Sequence, residues 1–80
     1  MNEFFELEVP LQNSTKVFEA EFRKTAYSYK IAVFIEGQEI VFEPDEERNF
    51  RAIGDRTDLK PSMMEAISAT ASTLTELFHR

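Results

Sequence analysis

The hydrophobic period of this chain changes once, close to residue 60. Before that point apolar and polar side chains alternate, as in VFEAEFRK, where Phe18, Ala20 and Phe22 alternate with charged residues. After it, apolar residues recur at spacings of three and four: Met64, Ile67, Ala71, Leu74 and Phe78. The alternation predicts β-strands, and the later spacing predicts one amphipathic helix. Because a single helix must bury its apolar side against something, the sequence predicts an α+β fold with a helix on a sheet.

The alternating segments predict an antiparallel meander of four to five strands with one C-terminal helix packed on one sheet face. The predicted strands lie within residues 3–9, 16–24, 28–36, 39–43 and 49–53, and the helix covers about residues 60–79. SYKIAVFIE is the most apolar segment and is expected at the sheet centre. The N-terminal segment can form an edge strand or fold over the second sheet face. We expect residues 1–80 to form a single domain, since domains typically hold about 50–250 residues.

Turn residues stand on both sides of the fourth predicted strand. Gly37 and Gln38 suit a two-residue type II′ hairpin turn, which pairs Ile35 with Ile40; a four-residue loop is the alternative. Pro44 suits position i+1 of a type I turn that leads to the last strand.

The predicted helix has two candidate starting points. Pro61 fits the first turn after Asp58 or Lys60. Ser62 with Glu65 has the spacing of a capping box and is the rival start. Two further residues widen the predicted apolar stripe, namely Met63 and Leu77.

The composition excludes several classes of site. The chain has no Cys, which excludes disulfides, thiol catalysis and thiolate metal centres. Its single His, His79, lies next to the C-terminal residue, so a His triad within one chain is also excluded. We therefore expect no enzymatic activity, no cofactor and no metal.

Charge and hydropathy indicate the surroundings in which the chain works. Its net charge of −6 opposes binding to phosphates, so a nucleic-acid partner is not expected. No run of about 20 apolar residues is present, so no membrane span is predicted. MNEFFELEVP lacks the basic and apolar regions of a signal peptide, and the expected location is cytoplasmic.

The acidic corner EPDEER is the most conspicuous candidate cation site. Asp45, Glu47 and Asn49 have the spacing of the first ligands of an EF-hand loop. Such a loop also needs Gly at its sixth position and Glu at its twelfth, where this chain has Phe50 and Arg56. The corner is therefore predicted to be a solvated turn.

The second sheet face is the most informative feature of the predicted fold. One helix can cover only one face, and the other carries apolar residues among charged ones: Ala32, Phe34, Val41, Ile53 and Val17. A half-polar face in contact with water is the ordinary interpretation. The alternative is a contact surface for another protein or for a second copy of the chain.

Three hypotheses for function follow. The first is a small non-enzymatic protein-interaction module, a homodimer in one version, that uses the second sheet face. The second is a small-molecule pocket between helix and sheet, lined by Phe18, Phe22, Tyr29 and Met63. The third is an acidic nucleic-acid mimic that uses Glu36, Glu39, Asp45, Glu46 and Glu47.

The stretch GQEIVFEPDEERNFRAI resembles small, uncharacterised bacterial α+β proteins. These carry a Gly-turn hairpin, a V-x-F-E-P-D-E-E corner and a returning strand before a C-terminal helix. The resemblance implies the same strand–hairpin–helix layout and implies no function.

Overall fold

The computed structural model describes residues 3–54 and 59–78. They form a five-stranded antiparallel sheet and one C-terminal helix, which confirms the predicted α+β layout. The elements are β1 (Glu3–Pro10), β2 (Thr15–Lys24), β3 (Tyr29–Ile35), β4 (Gln38–Pro44), β5 (Phe50–Ile53) and α1 (Pro61–Phe78). Each strand pairs with the next along the chain, so the sheet is a meander with β3 at its centre.

The N-terminal segment is an edge strand. β1 pairs with β2 along its whole length, with Leu7 opposite Phe18. Residues 3–10 therefore widen the sheet, and the alternative in which this segment folds over the second face is wrong. Leu7 and Val9 point to the core and are buried.

The core lies between the sheet and α1, which contacts β1, β3 and β5. Alternate strand positions supply its buried apolar side chains: Leu7, Val9, Phe18, Ala20, Ile31, Val33, Ile35, Ile40, Phe42 and Phe50. Burying each large aliphatic or aromatic side chain stabilises the fold by about 1.5–3 kcal/mol before the loss of chain entropy. This face of the sheet is the one that the sequence predicts beneath the helix.

Helix α1 begins at Pro61. The backbone N–H of Met64 donates to the carbonyl of Lys60 over 3.0 Å, which makes Lys60 the N-cap residue. Pro61 then occupies the first helical position, where its missing N–H leaves no bond unmade. A start at Ser62 is therefore wrong, and Asp58 lies outside the described residues.

The buried side of α1 is rotated from the predicted stripe. Met64 and Leu77 are 55% and 50% exposed, although the sequence places both at the sheet. The residues that α1 buries are Met63, Ala66, Ile67, Thr70 and Leu74. Thr70 can lie in this apolar seam because its hydroxyl donates to the carbonyl of Ala66 over 2.7 Å. A stripe read from apolar residues alone misses a Thr of this kind.

The β3–β4 hairpin turns one residue earlier than predicted. Ile35 pairs with Gln38, so the two central residues are Glu36 and Gly37, with φ of 49° and 84°. Positive φ at both positions is the signature of a type I′ turn, which matches the right-handed twist of the strands. The predicted pairing of Ile35 with Ile40 is therefore wrong. Because the register moves by two residues, every side chain keeps its predicted face.

The C-terminal half of α1 is fastened to β5. The Thr75 hydroxyl accepts a hydrogen bond from the backbone N–H of Phe50 over 2.9 Å and donates to the carbonyl of Ala71 over 2.8 Å. Phe50 is the first residue of an edge strand, and its ring lies 5.6 Å from that of Phe78. These contacts hold the helix against the sheet edge and leave the opposite face of the sheet uncovered by α1.

Candidate interaction surface

The acidic corner is organised by one carboxylate. Oδ1 of Asp45 accepts hydrogen bonds from the backbone N–H groups of Glu47, over 2.8 Å, and Asn49, over 3.0 Å. The N–H of Arg48 donates to the carbonyl of Asp45 over 3.1 Å, which closes the turn. Pro44 is the last residue of β4, so the prediction that it starts the turn at position i+1 is wrong.

The Asp45 carboxylate stabilises the turn through these hydrogen bonds. Oδ1 of Asp45 already accepts two backbone hydrogen bonds, and Glu46 and Glu47 are exposed. Across residues 3–54 and 59–78, no three Asp, Glu, Cys or His side chains are grouped so that they could hold a metal ion. The corner is a turn closed by its own hydrogen bonds, with exposed acidic side chains.

The residues of the hypothetical small-molecule pocket lie in the packed core. Phe18 and Met63 are buried. The rings of Phe22 and Tyr29 stack on each other at a centroid distance of 5.0 Å. An open groove lies elsewhere, between β5 and α1, and is bordered by Ala52, Ile53, Leu59, Met64 and Ile67.

We call the side of the sheet that faces away from α1 the open face. Strand pairing brings one row of side chains together across all five strands of this face. This central row consists of Phe4, Glu21, Ala32, Val41 and Ile53 in order. Three of the five predicted surface residues thus lie side by side. Phe34 is half-buried and Val17 is 55% exposed, both on the same side of the central row.

Phe4 is the surface residue that sequence reasoning missed. Its side chain is 61% exposed on the open face at the edge strand. The signal is present in the alternation, since Phe5, Leu7 and Val9 all point to the core and Phe4 must point away from it. The alternation identifies Phe4 as an open-face residue only when the N-terminal segment is known to be a strand of this sheet.

Ala32 is fully buried although it lies on the open face. Nε of Arg23 is 2.7 Å from Oε1 of Glu21 on β2, and Nη2 of Arg23 is 2.5 Å from Oε1 of Glu39 on β4. Because β3 lies between β2 and β4, the Arg23 side chain must pass over β3, where Ala32 is the small residue. Its hydrogen bonds to Glu39 and then Glu21 raise the pKa of Arg23 above its ordinary value.

Charge on the open face is separated along the strand direction. On one side of the central row lies the basic row, defined as Arg23, Lys30, Glu43 and Arg51. Lys30 and Glu43 share this row because their neighbours Ile31 and Phe42 pair directly. On the other side lies the acidic row, defined as Glu6, Glu19, Phe34 and Glu39. Most acids and most bases of the open face are therefore attached on opposite sides of the central row, and the Arg23 side chain reaches from the basic row to Glu39 in the acidic row.

No helix in the described part of the chain is long and apolar enough to cross a membrane. Comparison with protein-family models, with curated proteins and with solved structures gave no match.

Proposed function

We propose that this protein is a small non-enzymatic interaction module that binds a protein partner through the open face. The observation that carries the proposal is the central row, which has apolar side chains at both sheet edges, Phe4 on β1 and Val41 with Ile53 on β4 and β5. Phe4 is exposed, and Val41 and Ile53 are half-buried. Contact with a partner would remove this apolar surface from water, which is the main favourable term in protein association.

The charges around the central row suit the edge of an interface. Interfaces typically have an apolar centre and a polar, solvent-accessible rim. Here the basic and acidic rows flank the apolar residues, and Glu21 within the row is neutralised by Arg23 at 2.7 Å. A partner would therefore meet Phe4 at one edge and Val41 with Ile53 toward the other, and the acid between them already has its counter-charge.

The same ion pair supports a non-enzymatic role. A catalytic carboxylate needs a desolvated position and a proton affinity suited to its task. Glu21 is the buried carboxylate among the described residues, and it is engaged by the Arg23 guanidinium. The remaining acids of the open face lie at half-buried or exposed positions that favour solvation.

Substitution of open-face residues tests the proposal. Val17→Asp and Phe34→Asp should abolish binding of the partner, while Leu77→Asp, a half-exposed position on α1, should leave it intact. Sedimentation velocity detects a second copy of the chain, and affinity capture with mass spectrometry detects a different protein. Far-UV circular dichroism and thermal unfolding confirm that each variant is folded.

Two results together would contradict the proposal. The wild type would remain monomeric at about 1 mM, the limit of weak association. In addition, every protein captured by the wild type would also be captured by Phe34→Asp. Binding that survives both open-face variants and is lost in Leu77→Asp would place the partner on the helix instead.

A further inference from the structure

We infer that the free edge of β1 binds an extended segment of another protein as a sixth strand, and that this segment carries Lys or Arg opposite Glu6 and Glu8. The inference goes beyond the proposed function, because the contact lies at the edge of the sheet and not on the open face. Strand addition of this kind takes its affinity from main-chain hydrogen bonds and its specificity from alternate side chains. Residues of β1 supply both components.

Strand pairing determines which backbone groups of β1 face outward. In an antiparallel pair, alternate residues exchange hydrogen bonds with the neighbouring strand. At the turn between β1 and β2 the Leu11 N–H donates to the Ser14 carbonyl over 2.7 Å, so the odd-numbered residues of β1 bond to β2. Phe4, Glu6 and Glu8 therefore direct their backbone N–H and C=O groups away from the sheet.

Pro10 agrees with this assignment. It is an even-numbered residue of β1, so the N–H that proline lacks would face outward and no bond to β2 is lost. β1 thus already contains one residue whose outward side cannot donate a hydrogen bond. The other outward-facing residues retain their N–H groups.

The two edges of the sheet differ in how much free backbone they expose. β5 has four residues, and its outward Phe50 N–H donates to the Thr75 hydroxyl, which leaves Ala52 as the residue with both groups free to pair. β1 has eight residues, and within residues 3–54 and 59–78 no strand pairs with its outer side. A long edge with unpaired N–H and C=O groups is a template for another strand.

Charges along β1 indicate what the added strand must carry. Glu6 and Glu8 are exposed, and neither forms an ion pair in the described part of the chain. Glu19 lies directly opposite Glu6 on β2, and like charges in this position destabilise a strand pair. Lys or Arg on the added strand would lie directly opposite Glu6 and Glu8, where opposite charges stabilise the pairing.

Apolar side chains at the N-terminal end of β1 complete the pattern. Phe4 is 61% exposed on the open face, and Phe5 is half-buried on the helix side. Apolar residues of the added strand opposite these two would remove both rings from water. In antiparallel alignment, the segment from Glu8 to Phe4 therefore calls for a partner with the order basic, apolar, basic, apolar, apolar.

A second copy of β1 does not fit this site. The two longest antiparallel registers open to it are centred on Glu6 and on Leu7. The first places Glu6 against Glu6 of the second copy, and the second places Glu6 against Glu8. Adjacent strands lie about 4.8 Å apart, so these carboxylates repel. The acids oppose self-pairing and favour a basic segment of a different protein.

Peptide binding followed by amide NMR tests the site. The probe is the acetylated and amidated peptide Thr-Lys-Val-Lys-Val-Ile-Thr. We expect it to shift the amide signals of Phe4, Glu6 and Glu8 and to slow their exchange with solvent, which should be fast in the free protein. The same peptide with Glu in place of both Lys should bind at least about tenfold more weakly. If the Lys probe does not bind at about 1 mM, the acids serve only to keep other strands away and the inference is wrong.

Methylation of the probe backbone separates strand addition from attraction between charges. Methyl groups on both Lys amide nitrogens block N–H groups that face β1, whereas methyl groups on both Val amide nitrogens block those that face solvent. We expect the first peptide to bind at least about tenfold more weakly than the second, since two hydrogen bonds are lost. Equal affinities would show that charge alone holds the peptide, and would overturn the inference.

Glu6→Pro and Glu6→Gln are a matched pair of protein variants. Both remove the carboxylate, but only Pro removes the outward N–H, and an edge strand tolerates Pro at such a position. We expect Glu6→Gln to weaken probe binding about threefold, as for an exposed ion pair, and Glu6→Pro at least about tenfold. Circular dichroism and thermal unfolding establish that both are folded. Equal weakening in two folded variants contradicts a main-chain contact at Glu6.

The edge site and the proposed function fail separately. Phe34 lies on β3, two strands from β1, so Phe34→Asp should not weaken probe binding. A protein that binds the probe but captures no partner through the open face keeps the edge site and loses the proposed function. A protein that captures a partner through the open face but ignores the probe loses the edge site alone.

Discussion

The hydroxyl of Thr75 should contribute measurably to stability because it joins α1 to β5. It accepts the hydrogen bond of the Phe50 N–H at 2.9 Å and donates to the carbonyl of Ala71 at 2.8 Å. Thr75→Val keeps the side-chain shape and removes both bonds. The Ala71 carbonyl can keep its backbone partner within the helix, whereas the Phe50 N–H loses the acceptor that the side chain supplies.

The magnitude follows from this orphaned donor. Leaving a buried donor without an acceptor costs about 1–3 kcal/mol. The Phe50 bond is only partly buried, and the added methyl group returns part of the loss, so we expect a net destabilisation of about 1–2 kcal/mol. In a domain of this size that loss lowers Tm by about 4–16 °C.

Thr73→Val is the matched control. Thr73 is also half-buried on α1, and its hydroxyl donates to the carbonyl of Ala69 at 2.9 Å without a strand N–H to accept from. We expect this variant to lie within about 0.5 kcal/mol of the wild type. Urea unfolding followed by far-UV circular dichroism measures both changes. Amide exchange by NMR should show lost protection of the Phe50 N–H in Thr75→Val alone. Equal destabilisation by the two variants would refute the reasoning.

Three further predictions concern other parts of the chain. Arg23→Met leaves the nearly buried Glu21 without its cation and should lower the free energy of unfolding by about 1–2 kcal/mol, a figure reduced because the Arg23 side chain is one-third exposed. Arg51→Met removes an exposed ion pair and should lower it by under about 1 kcal/mol. Folding raises the pKa of Arg23, so the stability from its ion pairs is fully present below the unfolded pKa and is lost only as the pH rises through the folded pKa. Urea unfolding should therefore show the same destabilisation by Arg23→Met at pH 7 and at pH 9. A destabilisation that disappears by pH 9 would contradict an origin in the Arg23 ion pairs. Glu36→Asn should stabilise the protein by about 0.5–1 kcal/mol, because Asn tolerates the φ of 49° better than Glu does. The ion pair between Glu36 and Lys16, which the variant loses, is exposed at 3.7 Å and contributes little. An unchanged or lower Tm argues against the type I′ assignment. Leu74 is fully buried, so Leu74→Ala should lower the free energy of unfolding by about 2–5 kcal/mol, a large part of the total stability of a small domain. A loss under about 1 kcal/mol in chemical denaturation would mean that α1 does not pack on the sheet as described.

The layout of the fold was readable from the chain because it depends on local periodicity. Alternation of Phe18, Ala20 and Phe22 with charged residues places one face of β2 in the core whatever its neighbours are. The spacing of Ile67 and Leu74 likewise requires a helix with one buried side. Side-chain direction has a period of two in strands and 3.6 in helices, so sequence alone indicates both element type and face.

Errors arose where several local arrangements are almost equal in energy. Gly37 can occupy the first or the second central position of a two-residue turn, and only the full β3–β4 pairing selects the second. On α1, Thr70 replaces Met64 in the buried seam because its hydroxyl finds a carbonyl within the helix. Such choices depend on the register and docking of complete elements, which no single stretch of sequence specifies.

The sequence by itself determined that a five-residue set from Val17 to Ile53 would lie on the face away from the helix, since that assignment follows from alternation. Tertiary structure decided what that face is. Strand register brings Ala32, Val41 and Ile53 into one row and aligns Phe4 with them. It also carries Arg23 across β3 between two carboxylates. These relations join residues far apart in the chain, and only the pairing of whole strands can establish them.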